Sequence, residues 1–177
     1  METIYLAGGC FWCTEAVFRA LHGVLSVTSG YMGGHVANPT YEQVCSGNTG
    51  HAEVIKVEYN SEHVSTEAIL DVFFDSHDPT TLDRQGADVG SQYRSAIFYT
   101  DHAQKDVIDE KIKEYGAKLS DGKSIVTEVA LADEFYPAED YHHDYFAKNK
   151  EKMYCQIVIA PKIKNLIKTH KDLLKDK

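Results

Sequence analysis

An α+β fold built on a ferredoxin-like, split βαβ core is what this sequence predicts, and three observations predict it. Short β-branched or alternating apolar runs and helical apolar patterns follow one another as strand, helix, strand, strand, helix, strand, the order of that core. At 177 residues the chain is long enough for one domain, 1–177, with a real hydrophobic core. Its composition is globular: 43% apolar, 25% charged, four Pro, and no linker or low-complexity run to divide it.

Ile4 to Ala7 reads as the first strand. Gly8-Gly9 follows, and Ala16, Val17, Phe18, Ala20 and Leu21 then mark a helix ending before Gly23. Val24 to Tyr31 and Ala52 to Tyr59 read as strands from their β-branched content and alternation. Ser65 or Thr66 caps a second helix through Phe74, with Glu67 in its first turn. Arg94 to Tyr99 is the next strand, and Asp101 caps a helix to about Leu119. A strand near Val126 to Leu131, a helix near Glu139 to Lys148 and a basic amphipathic C-terminal helix over 162–177 decorate this core. The last carries one apolar stripe of Ile163, Leu166, Ile167, His170, Leu173 and Leu174. Gly33 to Gly50 and Asp75 to Gln92 resist assignment, and loops of that length are where functional groups collect.

The net charge of −9 argues against a nucleic-acid surface, which needs clustered Lys and Arg. Residues 162–177 hold six Lys against two Asp, so a basic tail folding back on an acidic body is expected, in preference to a membrane-surface role. The first apolar run is far too short for a signal sequence or a membrane span, which points to a cytoplasmic protein. Four cysteines at scattered spacing are then read as thiols rather than as a disulfide framework.

In "AGGCFWCTEAVF", residues 7–18, Cys10 and Cys13 fall at a strand-to-helix junction. A helix N-terminus favours the nucleophilic thiolate, and Cys10 is placed to receive that help. Phe11 and Trp12, expected to be partly exposed, are either the wall of an apolar pocket or simply core. Zinc would need a second ligand pair, but Cys45 and Cys155 stand alone, and His142-His143 diverge by about 100° on a helix. Cysteine-protease chemistry would need a histidine base, for which His51 is the nearest candidate. A thioredoxin-like thiol-disulfide oxidoreductase using the Cys10/Cys13 pair is the stronger alternative. The order of elements and the bulky pair between the cysteines speak against it.

Three further stretches decide the reading. "NPTYEQVCSGNTGHAEVIKVEY" (38–59) puts Tyr41 in a loop and Glu53 at the start of a strand. "RQGADVGSQYRSAIFY" (84–99) puts Asp88 and Tyr93 just ahead of another, and "FYPAEDYHHDYF" (135–146) follows near the C-terminus. Together with "GGCFWCTEAVF" these closely resemble the A-class peptide methionine sulfoxide reductases, in the same order and over nearly the whole chain, from about Ile4 to Lys162.

That resemblance implies reduction of methionine-S-sulfoxide, free or in proteins, as a repair of oxidative damage, by a monomer. It makes Cys10 the nucleophile at the sulfoxide sulfur and Glu53 the acid that protonates the oxygen, a role that demands a neutral carboxyl near pH 7. Tyr41 and Tyr93 match the tyrosines that hydrogen-bond that oxygen. Phe11 and Trp12 match the aromatic pair receiving the methyl group, and Asp88 belongs to the site's hydrogen-bond network. His142 lies at the rim or is an ordinary surface histidine. The sulfenic acid on Cys10 is then resolved to a disulfide, and thioredoxin or another dithiol restores the enzyme; no metal or organic cofactor is implied.

Two thiols compete to resolve it. Many members have Gly at the position of Cys13 and draw their resolving thiol from the C-terminal segment, where this chain has Cys155. Positions three apart on a helix hold their Cβ atoms about 5–6 Å apart, whereas a disulfide wants about 3.5–4.5 Å, so Cys13 requires a distorted first turn. Cys155 requires a larger movement of its segment, and proximity favours Cys13. Cys45 reads as a small buried residue.

Overall fold

The computed structural model describes residues 1–120 and 122–176. Its centre is a six-stranded, mostly antiparallel sheet in the order β7-β6-β1-β3-β2-β8. The strands are β1 (Glu2–Gly8), β2 (Val24–Met32), β3 (Ala52–Tyr59), β6 (Ser95–Tyr99), β7 (Glu128–Leu131) and β8 (Tyr136–Pro137). A separate two-stranded hairpin, β4 (Arg84–Gln85) and β5 (Asp88–Val89), stands outside the sheet. The helices are α1 (Phe11–Arg19), α2 (Tyr41–Cys45), α3 (Thr66–Ser76), α4 (His102–Ala117), α5 (Tyr145–Lys148) and α6 (Ala160–Thr169).

Strand alternation sorts the buried side chains to two faces. Ile4, Leu6, Ile55, Val57 and Ile97 point to the face covered by helices and pack with Phe11, Val17 and Phe18 of α1 and Ile69, Leu70 and Phe73 of α3. Ala7, Met32, Val54, Ala96 and Phe98 form a thinner layer on the other face, beneath Tyr5 and Phe135. β1 and β3 are fully flanked, with Ile4 opposite Val57 and Leu6 opposite Ile55, and β7 joins β6 in parallel. Ser65 and Asp101 cap α3 and α4 as expected, accepting from Ala68 N and Gln104 N. No helix among the described residues is long and apolar enough to cross a membrane.

The C-terminal third departs from expectation. The helix expected over Glu139 to Lys148 is broken into a 3-10 turn at Asp140–His142 and the short α5, because Asp144 takes a left-handed conformation, φ 56°. The helix expected over 162–177 starts earlier and ends sooner. A π-helical turn, Cys155–Ile159, runs into α6, which stops before His170, and Lys177 lies outside the described residues. Ile167 is 48% exposed, so it lies off the buried stripe. Leu173 and Leu174 reach the body instead through a return of the chain, His22 N donating to Leu173 O and Lys175 N to Ala20 O. His170 Nε2 lies 2.7 Å from Asp75 Oδ2 and Lys162 Nζ donates to Ser76 O, so the basic tail is fastened to the acidic body on α3 as well.

Candidate active site

Gly9 turns β1 into α1 at φ 91°, a conformation Gly adopts without penalty. A Cβ there would also sit 2.6 Å from Gln85 Cγ. Cys10 thereby becomes the N-cap of α1, its carbonyl accepting from Cys13 N and Thr14 N while its own backbone, ψ 124°, is not helical. The two thiols are hydrogen-bonded to each other.

Alternation along β3 puts Glu53 on the same face as Ile55 and Val57, under the start of α1. Glu53 is 2% exposed, and its Oε1 accepts from Phe11 N at 3.1 Å. Burial pushes its carboxyl up to about 8, against the lowering effect of that hydrogen bond, with the charges of Asp88 and Cys13 adding to the rise. It is a neutral acid at pH 7.

Burial likewise pushes the Cys10 thiol up, helped by its hydrogen bond with Cys13 and by the charge of Glu53. The helix N-terminus does not outweigh desolvation, so the expected resting thiolate on Cys10 is replaced by a thiol. Cys13 goes the other way, lowered first by the hydrogen bond from Cys10 and, against its own burial, by the Lys162 ammonium. Cys13 Sγ lies 3.8 Å from Tyr154 Oη, and that hydroxyl donates to Asp88 Oδ2 at 3.0 Å. A cavity of about 130 Å³ opens onto Cys10 and Cys13 between Asp88, Tyr154, Val158 and Lys162.

The aromatic pair divides. Phe11 is fully buried, not partly exposed, with its ring 5.7 Å from Tyr31 and 5.1 Å from His142. Trp12 is half-buried and stacks on Tyr145, centroids 3.8 Å apart and planes 6° apart, with Tyr154 edge-on at 5.8 Å. Trp12 Nε1 donates to His142 Nδ1 at 3.0 Å, which puts the imidazole proton on Nε2, 3.6 Å from Glu139 Oε2. His142 has no exposed surface, so the surface-histidine reading fails, and burial lowers its pKa and keeps it neutral.

Tyr41 opens α2, which Thr40 and Gln43 cap reciprocally, and its backbone N donates to Glu139 Oε2. Its ring lies 4.5 Å from His142 and 6.5 Å from Trp12, and its hydroxyl bonds to Cys45. Tyr93, from the 3-10 turn Ser91–Tyr93, packs against the cysteines. Burial and the charge of Glu53 push both phenols above their ordinary value, so they stay protonated donors. The structure thus brings Cys10, Cys13, Glu53, Tyr41, Tyr93, Trp12 and Asp88 to one end of the sheet, with Phe11 behind them. Cys155 is fully buried in the same cluster as Cys10 and Cys13. Cys45, expected to be buried, is exposed on α2 beside Tyr41.

Sequence reasoning missed Tyr31, Glu139, Tyr145 and Tyr154. Glu139 accepts from Tyr31 Oη, Tyr41 N and Tyr141 Oη, tying β2, α2 and the 3-10 turn together. Its signal was the acidic pair inside the aromatic run "FYPAEDYHHDYF". His51 is no base for Cys10, since its Nδ1 accepts from Gly34 N and its Nε2 bonds Val36 O. Among the described residues, no group of three or more His, Cys, Asp or Glu side chains is arranged to hold a metal ion.

Comparison with known proteins meets this geometry. The family model described as peptide methionine sulfoxide reductase matches residues 2–174. The peptide methionine sulfoxide reductase MsrA of Psychrobacter cryohalolentis is 59% identical over 169 residues, 95% of each chain. Mxr1 from Saccharomyces cerevisiae in reduced form superposes with a TM-score of 0.80 at 34% identity, over 87% of this chain and 88% of that one. Mxr1 in complex with Trx2 superposes with a TM-score of 0.56 at 26% identity, over 81% and 84%. The chain belongs to the peptide methionine sulfoxide reductase family and is an oxidoreductase acting on methionine sulfoxide.

Proposed function

We propose that the protein reduces the S epimer of methionine sulfoxide, free or in polypeptides, by attack of Cys10 on the sulfoxide sulfur with Glu53 as the acid. The observation that carries this is a neutral carboxyl buried against the N–H of Phe11, next in sequence to the Cys10 thiol. Sulfoxide oxygen leaves only when protonated. Glu53 gives its proton to that oxygen and takes up the one Cys10 releases, so the step is proton-neutral. The Cys10 sulfur bonds to the substrate sulfur, giving an adduct that carries the protonated oxygen as a hydroxyl. That hydroxyl then passes from the substrate sulfur to the Cys10 sulfur as the S–S bond breaks, so methionine departs as the thioether and Cys10 is left as a sulfenic acid. Tyr41 and Tyr93, as uncharged donors, hold the oxygen; Trp12, backed by Phe11, receives the methyl group; Asp88 orients Tyr154 beside Cys13.

Cys13 then attacks the Cys10 sulfur, an S–S bond forms, and the hydroxyl leaves as water. Its hydrogen bond to Cys10 and its lowered pKa support it as the resolving thiol. Burial of Cys155 in the same cluster supports a second reading, in which the disulfide passes on to Cys155. Thioredoxin restores the dithiol by exchange, a step supported by the Trx2 complex of Mxr1. No metal or organic cofactor takes part. The order β6-β1-β3-β2, antiparallel throughout, supports a ferredoxin-like split βαβ core, and we read residues 1–177 as one domain of a cytoplasmic, monomeric enzyme.

The test is a single turnover with excess sulfoxide of each epimer, followed by disulfide mapping by mass spectrometry in the wild type, Cys13→Ser and Cys155→Ser. The S epimer should yield methionine and a Cys10–Cys13 disulfide. Turnover of R without S would overturn the stereochemistry, and a normal Cys10–Cys155 disulfide in Cys13→Ser would overturn the choice of resolving thiol.

A further inference from the structure

We propose that Glu15 is a positioning residue for the sulfoxide pocket: from α1, three residues beyond Trp12, it holds the backbone turn that lays Tyr145 on the Trp12 ring. Glu15 is a carboxylate that the chemistry above does not use, yet it is 1% exposed. Its Oε1 accepts from Asp144 N at 2.8 Å, and Arg19 lies 3.6 Å from it and 3.7 Å from Asp144 Oδ1.

What that bond holds is an unfavourable backbone. Asp144 sits at φ 56°, ψ 36°, in the left-handed region, which is unfavourable for a residue with a Cβ although Asp enters it more readily than most. It opens α5 with no side-chain capping bond of its own. The very next residue, Tyr145, carries the ring stacked on Trp12. Residues three apart on a helix share a face, so α1 grips this turn twice. Trp12 meets the ring of Tyr145, and Glu15 meets the backbone just before it. Without the second grip Asp144 relaxes toward an ordinary conformation, Tyr145 swings away, and Trp12 loses the partner that fixes its plane.

Trp12 is the chain's single tryptophan, so its fluorescence reports this stack directly. In Glu15→Ala the emission should shift to the red as the indole gains water. KM for a methionine sulfoxide peptide should rise about tenfold, which is ~1.4 kcal/mol, with kcat within about twofold of the wild type. Glu15→Gln keeps an acceptor oxygen and should match the wild type in both readouts. Glu15→Ala with Asp144→Gly should recover emission and KM, because Gly takes positive φ without being held.

Unchanged emission and KM in Glu15→Ala, with or without a loss of stability, would overturn the role. If that variant does not fold, the double variant decides: wild-type emission and KM support the role, and altered emission with raised KM overturns it. The inference rests on Trp12 walling the sulfoxide pocket. A wild type that turns over no sulfoxide would refute that reading, whereas an active wild type with an indifferent Glu15→Ala refutes Glu15 alone.

Discussion

Replacing Glu53 by Gln removes the transferable proton and keeps both the shape and the oxygen that accepts from Phe11 N. Two effects of opposite sign follow. A positioned general acid contributes roughly 10²- to 10⁴-fold to rate, so turnover at pH 7 should fall by that factor. Stability should move the other way. The folded protein keeps the Glu53 proton up to about pH 8, while the unfolded chain releases it near the ordinary carboxyl value of 4.5. Between those values the native state binds more protons, so the wild type loses stability as pH rises. At 1.36 kcal/mol per unit the loss is about 3 kcal/mol at pH 7 and about 5 kcal/mol above pH 8. Gln carries none of it. Glu53→Gln should therefore equal the wild type below pH 4.5 and exceed it by about 3 kcal/mol at pH 7, measured by urea unfolding across pH. The wild-type rate, read with methionine sulfoxide and dithiothreitol, should decline as pH passes about 8. A variant within tenfold of wild-type turnover, or no more stable than wild type at pH 8, would refute the assignment of a buried neutral acid.

His77 is buried between Phe73 O and Ser95 Oγ, and burial lowers it to about 4. The unfolded chain takes up a proton near pH 6.5 that the native state refuses, so stability should drop by about 3 kcal/mol between pH 6.5 and 4. His77→Gln should flatten that part of an acid-unfolding curve, and an unchanged slope would count against the neutral assignment. Because Cys13 is lowered and Cys10 raised, limiting iodoacetamide at pH 7 should modify Cys13 first in the reduced protein. Peptide mapping checks this, and Cys10 labelling ahead of Cys13 would reverse the order of the two thiols.

Most of the sheet and its helices could be read along the chain because their signals are local. β3 occupies the expected span from Ala52 to Tyr59, and Asp101 caps α4 where a capping side chain was expected. β8, which pairs with β2 only at Gly30 and Tyr31, left no periodic trace in its two residues. The break at Asp144 was hidden for a different reason. "AEDYHHDYFAK" has no Gly or Pro to announce it, and the acceptor that holds it, Glu15, lies 129 residues away.

The sequence by itself placed the candidate groups, a cysteine after Gly-Gly at a strand-to-helix junction, an acid opening a later strand and tyrosines in the long loops, and the resemblance to the A-class peptide methionine sulfoxide reductases implied their roles. Local propensity suffices to place them, since each position depends on a few neighbouring residues. Only the tertiary structure decided the protonation states and the partners. Desolvation makes Glu53 neutral and keeps Cys10 a thiol, whereas the hydrogen bond from Cys10 and the Lys162 ammonium let Cys13 ionise more readily against its own burial; both effects depend on everything packed around each group. The same holds for His142 and Glu139, whose roles come from contacts with Trp12, Tyr31 and Tyr41, roughly a hundred or more residues distant in sequence. Burial and long-range hydrogen bonding are properties of the folded chain, and no stretch of sequence carries them alone.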